Sequence, residues 1–208
     1  MKLCMFSLIF LAIQSCYLAA QSPNPFSLKQ MPWSIALMDE SLSVPNFWFL
    51  NYPLNPAIMI GTEYVINDHP RHDWVVAANL GGYYHKYSQT AIFLNSEVGF
   101  RYHLNRWNAQ LRAGAGYAHT FYPGAEYRLI DGRPEKVNAA GAPTFMPSVS
   151  LGLGYRLSES EKAAEVSLLW MLAVDQPFSF YTGLHQLVGF RCTFYPFRSS
   201  NSYTILSS

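Results

Sequence analysis

Cysteine, charge and long apolar runs are all scarce in this chain, and each scarcity removes a class of protein. Two of the three cysteines in 208 residues, Cys4 and Cys16, lie within the first twenty positions. Cys192 alone remains beyond them, and a lone thiol supports neither a disulfide framework nor a cysteine zinc site. Charged residues make up only 13% of the chain and sum to +1. That balance, with no run of like charge, argues against an electrostatic nucleic-acid binder. Beyond the first twenty residues no apolar stretch reaches the ~18 residues of a transmembrane helix. A 3.6-residue hydrophobic period is absent too, which argues against helical architecture.

What is present begins with a leader. Lys2 supplies a minimal positive start, and Leu3 to Ile13 form a short apolar run broken only by Ser7. Small residues follow at Ala19 and Ala20, and Gln21 opens a polar stretch. Residues 1–20 therefore read as a signal peptide cut before Gln21, although Leu18 is larger than such a site prefers. The rival reading, lipidation at Cys16, has only Ile13-Gln14-Ser15 as a poor lipobox. Residues 21–32 are then an N-terminal periplasmic segment, residues 33–197 an outer-membrane β-barrel, and residues 198–208 a tail.

The barrel expectation rests on a period of two. Between Ala91 and His103 one parity holds Ile92, Leu94, Ser96, Val98, Phe100 and Tyr102, and the other Phe93, Asn95, Glu97, Gly99, Arg101 and His103. Alternate strand residues face opposite sides, so one face is apolar and the other polar or small. The same alternation runs through 74–85, through Asn108 to Tyr117 and through Ser148 to Arg156. Less regular strands are expected at 56–66, 165–174 and 185–196. A first strand near 33–44, weakened by Asp39-Glu40, completes about eight, an all-β up-and-down transmembrane antiparallel barrel.

Connectors and aromatics orient it. Short polar turns at 67–72, 105–106 and 158–162 read as periplasmic; 45–55, 86–89, 121–144 and 175–184 read as external, with 86–89 short for its side. Tyr64, Trp74, Tyr102, Trp107 and Tyr155 fall at periplasmic strand ends, and Tyr84, Tyr117, Phe145, Phe178 and Tyr181 at external ends. Two aromatic girdles suit the headgroup levels of a bilayer. A soluble lipocalin-like barrel would instead turn the glycine-rich parity outward as a bare exterior. An arginine on the lipid face at the midplane costs roughly 2–4 kcal/mol, so Arg101, Arg112 and Arg156 are expected in the lumen, with Glu63 and Glu97 as partners. Arg112 is expected to pair with Glu97, and Glu63 with Arg101 or Arg156. The interior of so narrow a barrel should be a polar plug.

The stretches Gly99-Phe100-Arg101-Tyr102, Gly114 to Phe121 and Pro147 to Tyr155 resemble small outer-membrane β-barrel proteins of the Bacteroidota type. That resemblance implies outer-membrane lipids and barrel-assembly machinery as partners, with no assigned reaction and no catalytic residue to carry over. Such barrels usually end on an aromatic residue, whereas Phe197 is followed by Arg198 to Ser208. No cofactor or metal motif is legible. Gly114-Ala115-Gly116 and Gly152-Leu153-Gly154 lie inside strands and are not phosphate loops.

Among the six histidines, His85, His119 and His185 fall at external strand ends and are the weak catalytic candidates. No strand places a His and a Ser two apart on one face, so interfacial packing is the plainer reading. A structural or surface-binding barrel is the leading expectation. A rim hydrolase acting on lipid A or phospholipid and a narrow, porin-like pore are the alternatives. The 121–144 loop is the best candidate for touching an external ligand, whose identity the residues do not disclose.

Overall fold

A computed structural model describes residues 31–42, 54–86, 88–123, 126–130, 133–137, 141–158, 163–177 and 183–196. The expected leader at 1–20 and tail at 198–208 lie outside those residues, as do Cys16, Phe178 and Tyr181. The strands lie within the compact unit Pro32–Pro196.

They are β1 (Trp33–Ser41), β2 (Pro56–Asp68), β3 (His72–Tyr84), β4 (Thr90–Leu104), β5 (Trp107–Phe121), β6 (Glu126–Ile130), β7 (Arg133–Val137), β8 (Ala142–Arg156), β9 (Glu165–Pro177) and β10 (Gly183–Phe194). Eight of them close antiparallel in the order β1-β10-β9-β8-β5-β4-β3-β2, and β6 and β7 form a separate two-stranded sheet. Closure is made by β1 against β10, with Trp33 opposite Phe194 and Ser41 opposite Gln186. It leaves the main sheet without an edge, so no row of unpaired peptide groups remains to be satisfied.

The alternation read from sequence sets the two faces. Ile92, Leu94, Val98 and Tyr102 on β4 are exposed, while Phe93, Asn95, Glu97 and Arg101 are buried. Exposed Ile35, Leu37, Ile58, Ile60, Leu80, Leu111, Val149, Leu151, Leu153, Leu168 and Phe190 continue the apolar outside around the barrel. A soluble protein rarely exposes so continuous an apolar surface.

The ends differ. At the terminus end, Asn105 at φ 56° occupies the left-handed region and permits the tight turn that sets Leu104 opposite Trp107. Short connections β2–β3 and β8–β9 share that end. At the loop end, the β5–β8 connection contains the β6–β7 hairpin, with Ile130 opposite Arg133. Only Asp131-Gly132 separates those two residues, a dipeptide strongly favoured in two-residue hairpin loops. The signal for a hairpin thus lies inside a segment expected to be loop.

Candidate functional site in the lumen and at the loop-end rim

Inward residues follow one order from the loop end to the terminus end. On β10 they run His185, Leu187, Gly189, Arg191; on β9, Asp175, Ala173, Met171, Leu169, Ser167, Glu165. A polar rim cluster, an apolar layer and a charged lattice are therefore stacked along the barrel. The apolar layer includes Met38, Met59, Phe93, Met146, Leu169, Met171 and Leu187, all buried. This adds an apolar layer to an interior expected to be a polar plug. Unbranched methionine fills an irregular bore that branched side chains would leave gapped.

The lattice at the terminus end centres on Glu63, which takes Arg101 on Oε1 and Arg112 Nη2 on Oε2 at 2.6 Å. Arg112 also donates to Gln110 Oε1 at 2.6 Å, and Arg191 Nη2 reaches the same oxygen at 2.7 Å. Asn108 donates to Glu165 at 2.7 Å, and His103 Nε2 donates to Asp73 at 2.6 Å. Arg112 thus pairs with Glu63, not with Glu97 as the sequence suggests. Gly99 lies directly across from Arg112, and a Cβ there would stand 3.0 Å from Arg112 Cβ. The arginine stem lies over this bare backbone and carries its head past β4 and β3 to β2.

Arg156 departs from the expected network as well. Its Nη2 donates to Asn105 O at 2.6 Å, tying β8 to the β4–β5 turn at the barrel's end. Strand end, not lumen, is its place, because it is the last residue of β8. Glu97 is in the lumen and deeply buried, but no cationic side chain meets it among the described residues. Asn79 Nδ2 donates to its Oε2 at 3.2 Å, and Ser148 Oγ to its Oε1 at 3.4 Å.

At the loop-end rim the three candidate histidines separate. His85 is half-buried in the β3–β4 turn, where Ser88 N donates to its Nδ1 at 3.1 Å. His119 lies on the outward parity of β5, its Nδ1 2.8 Å from Tyr117 Oη and its ring 4.9 Å from that of Phe121. His185 alone enters the lumen, at 1% exposure. Its Nδ1 donates to Glu40 Oε1 at 2.7 Å, and its Nε2 lies 3.3 Å from Asp175 Oδ2, 2.9 Å from Gln89 Nε2 and 3.4 Å from Tyr83 Oη. Tyr83 Oη and Gln89 Nε2 in turn donate to Asp175 Oδ2, at 3.1 and 3.0 Å.

Sequence reasoning does not bring Glu40, Tyr83, Gln89 and Asp175 together as one cluster. Glu40 reads there as a flaw in the first strand; its inward parity is the available signal. Asp39, beside it, faces the other way and accepts from Asn55 N at 2.8 Å.

The chain matches no protein-family model, and no curated protein is significantly similar to it. Solved structures do resemble it. Neisserial surface protein A aligns at 9% identity with a TM-score of 0.53, over 79% of this chain and 95% of that one. The outer membrane enzyme PagL aligns at 8% identity and TM-score 0.48, over 78% and 98% of the two chains. The outer membrane protein Ail of Yersinia pestis aligns at 13% and 0.39, over 79% and 100%. The chain is a closed eight-stranded antiparallel β-barrel of the kind found in small outer-membrane proteins.

Proposed function

We propose that this chain resides in the bacterial outer membrane as a closed barrel whose role is structural or surface-binding, with the loop end outward. The observation that carries the reading is the burial of the inward side chains. Phe93, Met146, Met171, Leu187 and His185 all lie below 2% exposure, which supports a lumen obstructed by apolar and polar layers. A bore filled by side chains is expected of eight strands and leaves no water path for solutes. Function then belongs to what the rigid barrel displays, and the β6–β7 hairpin within the β5–β8 connection is its principal display element. The narrower Bacteroidota-type grouping and the assembly and lipid partners stand as parts of this same proposal.

Impermeant thiol labelling of intact cells tests the orientation. In a Cys192→Ser background, Arg133→Cys should be labelled and Ser158→Cys should be protected until the cells are opened. Labelling of Ser158→Cys alone would invert the barrel and remove the proposal. A hydrolase assembled from His85, His119 and His185 together is not supported, because His119 faces outward and His185 inward.

A further inference from the structure

The buried charges do not balance by side chains. Six carboxylates are buried among the described residues (Glu40, Glu63, Asp73, Glu97, Glu165 and Asp175) against three guanidiniums, Arg101, Arg112 and Arg191. Histidines meet three of the six: His185 touches Glu40 and Asp175, and His103 touches Asp73. Glu63 holds two arginines, and Glu165 is held by Asn108 and Gln110 beside Arg191. Glu97 is held most loosely: at 3% exposure it has, among the described residues, only an amide at 3.2 Å and a hydroxyl at 3.4 Å. The lattice contacts around Glu63 and Glu165 close to 2.6 and 2.7 Å.

Two glycines let β4 and β5 approach closely beside it. Gly114 on β5 lies directly between Glu97 on β4 and Ser148 on β8, and Gly116 lies across from Asn95. A Cβ at Gly114 would stand 2.8 Å from Glu97 Cγ, and one at Gly116 would stand 2.6 Å from Asn95 Cβ. The side chains of Glu97 and Asn95 thus pack directly against the bare backbone of two glycines. Asn95, at 2% exposure, donates through Nδ2 to Ser148 Oγ at 3.3 Å, while its Oδ1 has no hydrogen-bond partner among the described residues.

We propose that Glu97, Asn95 Oδ1 and Ser148 Oγ form a site for a small hard monovalent cation of the sodium class. The donors are all oxygens, the preference of hard cations, and one formal negative charge among neutral oxygens matches a single positive charge. Calcium prefers six to eight oxygens, commonly with several carboxylates, and this set offers one. Water could satisfy Asn95 Oδ1 but supplies no charge to offset the burial of a carboxylate.

Ligand-linked stability tests this in the whole folded barrel. Unfolding temperature is measured in detergent in sodium chloride and in choline chloride at equal ionic strength, with calcium chloride as a third arm. Sodium should raise the wild-type midpoint by about 2–4 °C over choline, and Glu97→Gln should respond equally to both salts. An equal response of wild type to sodium and choline, a rise in calcium alone, or a sodium effect retained in Glu97→Gln would each overturn the site. If Glu97→Gln does not fold, Ser148→Ala takes its place, since it removes one oxygen. It should need more sodium for the same rise, and an unchanged dependence would likewise overturn the proposal.

Discussion

The two ends of the lumen solve the same problem by different chemistry. At the terminus end, Glu63 accepts Arg101 and Arg112, and Arg112 and Arg191 share Gln110 Oε1. At the loop end no buried guanidinium is found among the described residues, and one imidazole, His185, stands between Glu40 and Asp175. Guanidinium is charged throughout the accessible pH range and has five donors in a fixed fork, so it can cross-link several strands at once. Imidazole has two donors at most, and here Gln89 and Tyr83 must complete the shell of Asp175. The arginine lattice is therefore the permanent lock, and the rim cluster the lighter clasp beneath the loops.

Glu63→Leu should break that contrast most strongly. It takes the shared carboxylate from two buried guanidiniums, leaving Arg101 with Asp73 at 3.8 Å and Arg112 with Gln110, and removing one member of a buried pair costs roughly 3–5 kcal/mol because the survivor keeps its desolvation penalty. Denaturant unfolding of the refolded barrel in detergent is the measurement, and the expected loss lies at or above the top of that range. A loss no larger than that of a surface substitution would show that Glu63 is not the hub.

His185→Leu sharpens the comparison from the other side. Glu40 and Asp175 lose their shared partner, but Asp175 keeps Tyr83 and Gln89. The expected loss is about 3 kcal/mol, the low end of the buried-pair range, since one carboxylate, Glu40, is left unpaired where Glu63→Leu affects two guanidiniums. It should fall below the Glu63→Leu loss in the same assay; a larger one would reverse the order of the two ends.

How much of the barrel is legible in the sequence depends on range. Outward faces are readable because alternation is local: Ile92, Leu94 and Val98 declare themselves within one strand. The identity of the lumen charges follows from the same parity, as with Glu63, Arg101 and Arg112. Their pairing follows only in part: Glu63 with Arg101 is among the expected pairs, but Arg112 reaches Glu63 over Gly99, and only the assembled barrel brings those strands together. The rim cluster is less legible still. Glu40 and His185 are 145 positions apart and meet because β1 pairs with β10. The β6–β7 hairpin has a short-range signal in Asp131-Gly132 that reading the segment as a loop obscures.

A smaller effect is expected outside the lumen. Trp107 and Tyr155 lie on the outer surface with rings 4.9 Å apart, where an aromatic pair adds ~0.5–1.5 kcal/mol beyond its buried area. Trp107→Ala should lower stability in lipid vesicles more than in detergent, where no defined interface exists for the ring to occupy. Equal losses in the two would argue that the pair serves only the fold.

Planar-bilayer recording of the purified, folded wild-type protein tests the closed lumen most directly. A lumen plugged between His185 and Arg191, as proposed, predicts a baseline without steady conductance steps at moderate voltage, in either polarity. Reproducible ohmic steps from the wild type would contradict the account and make the lumen a passage.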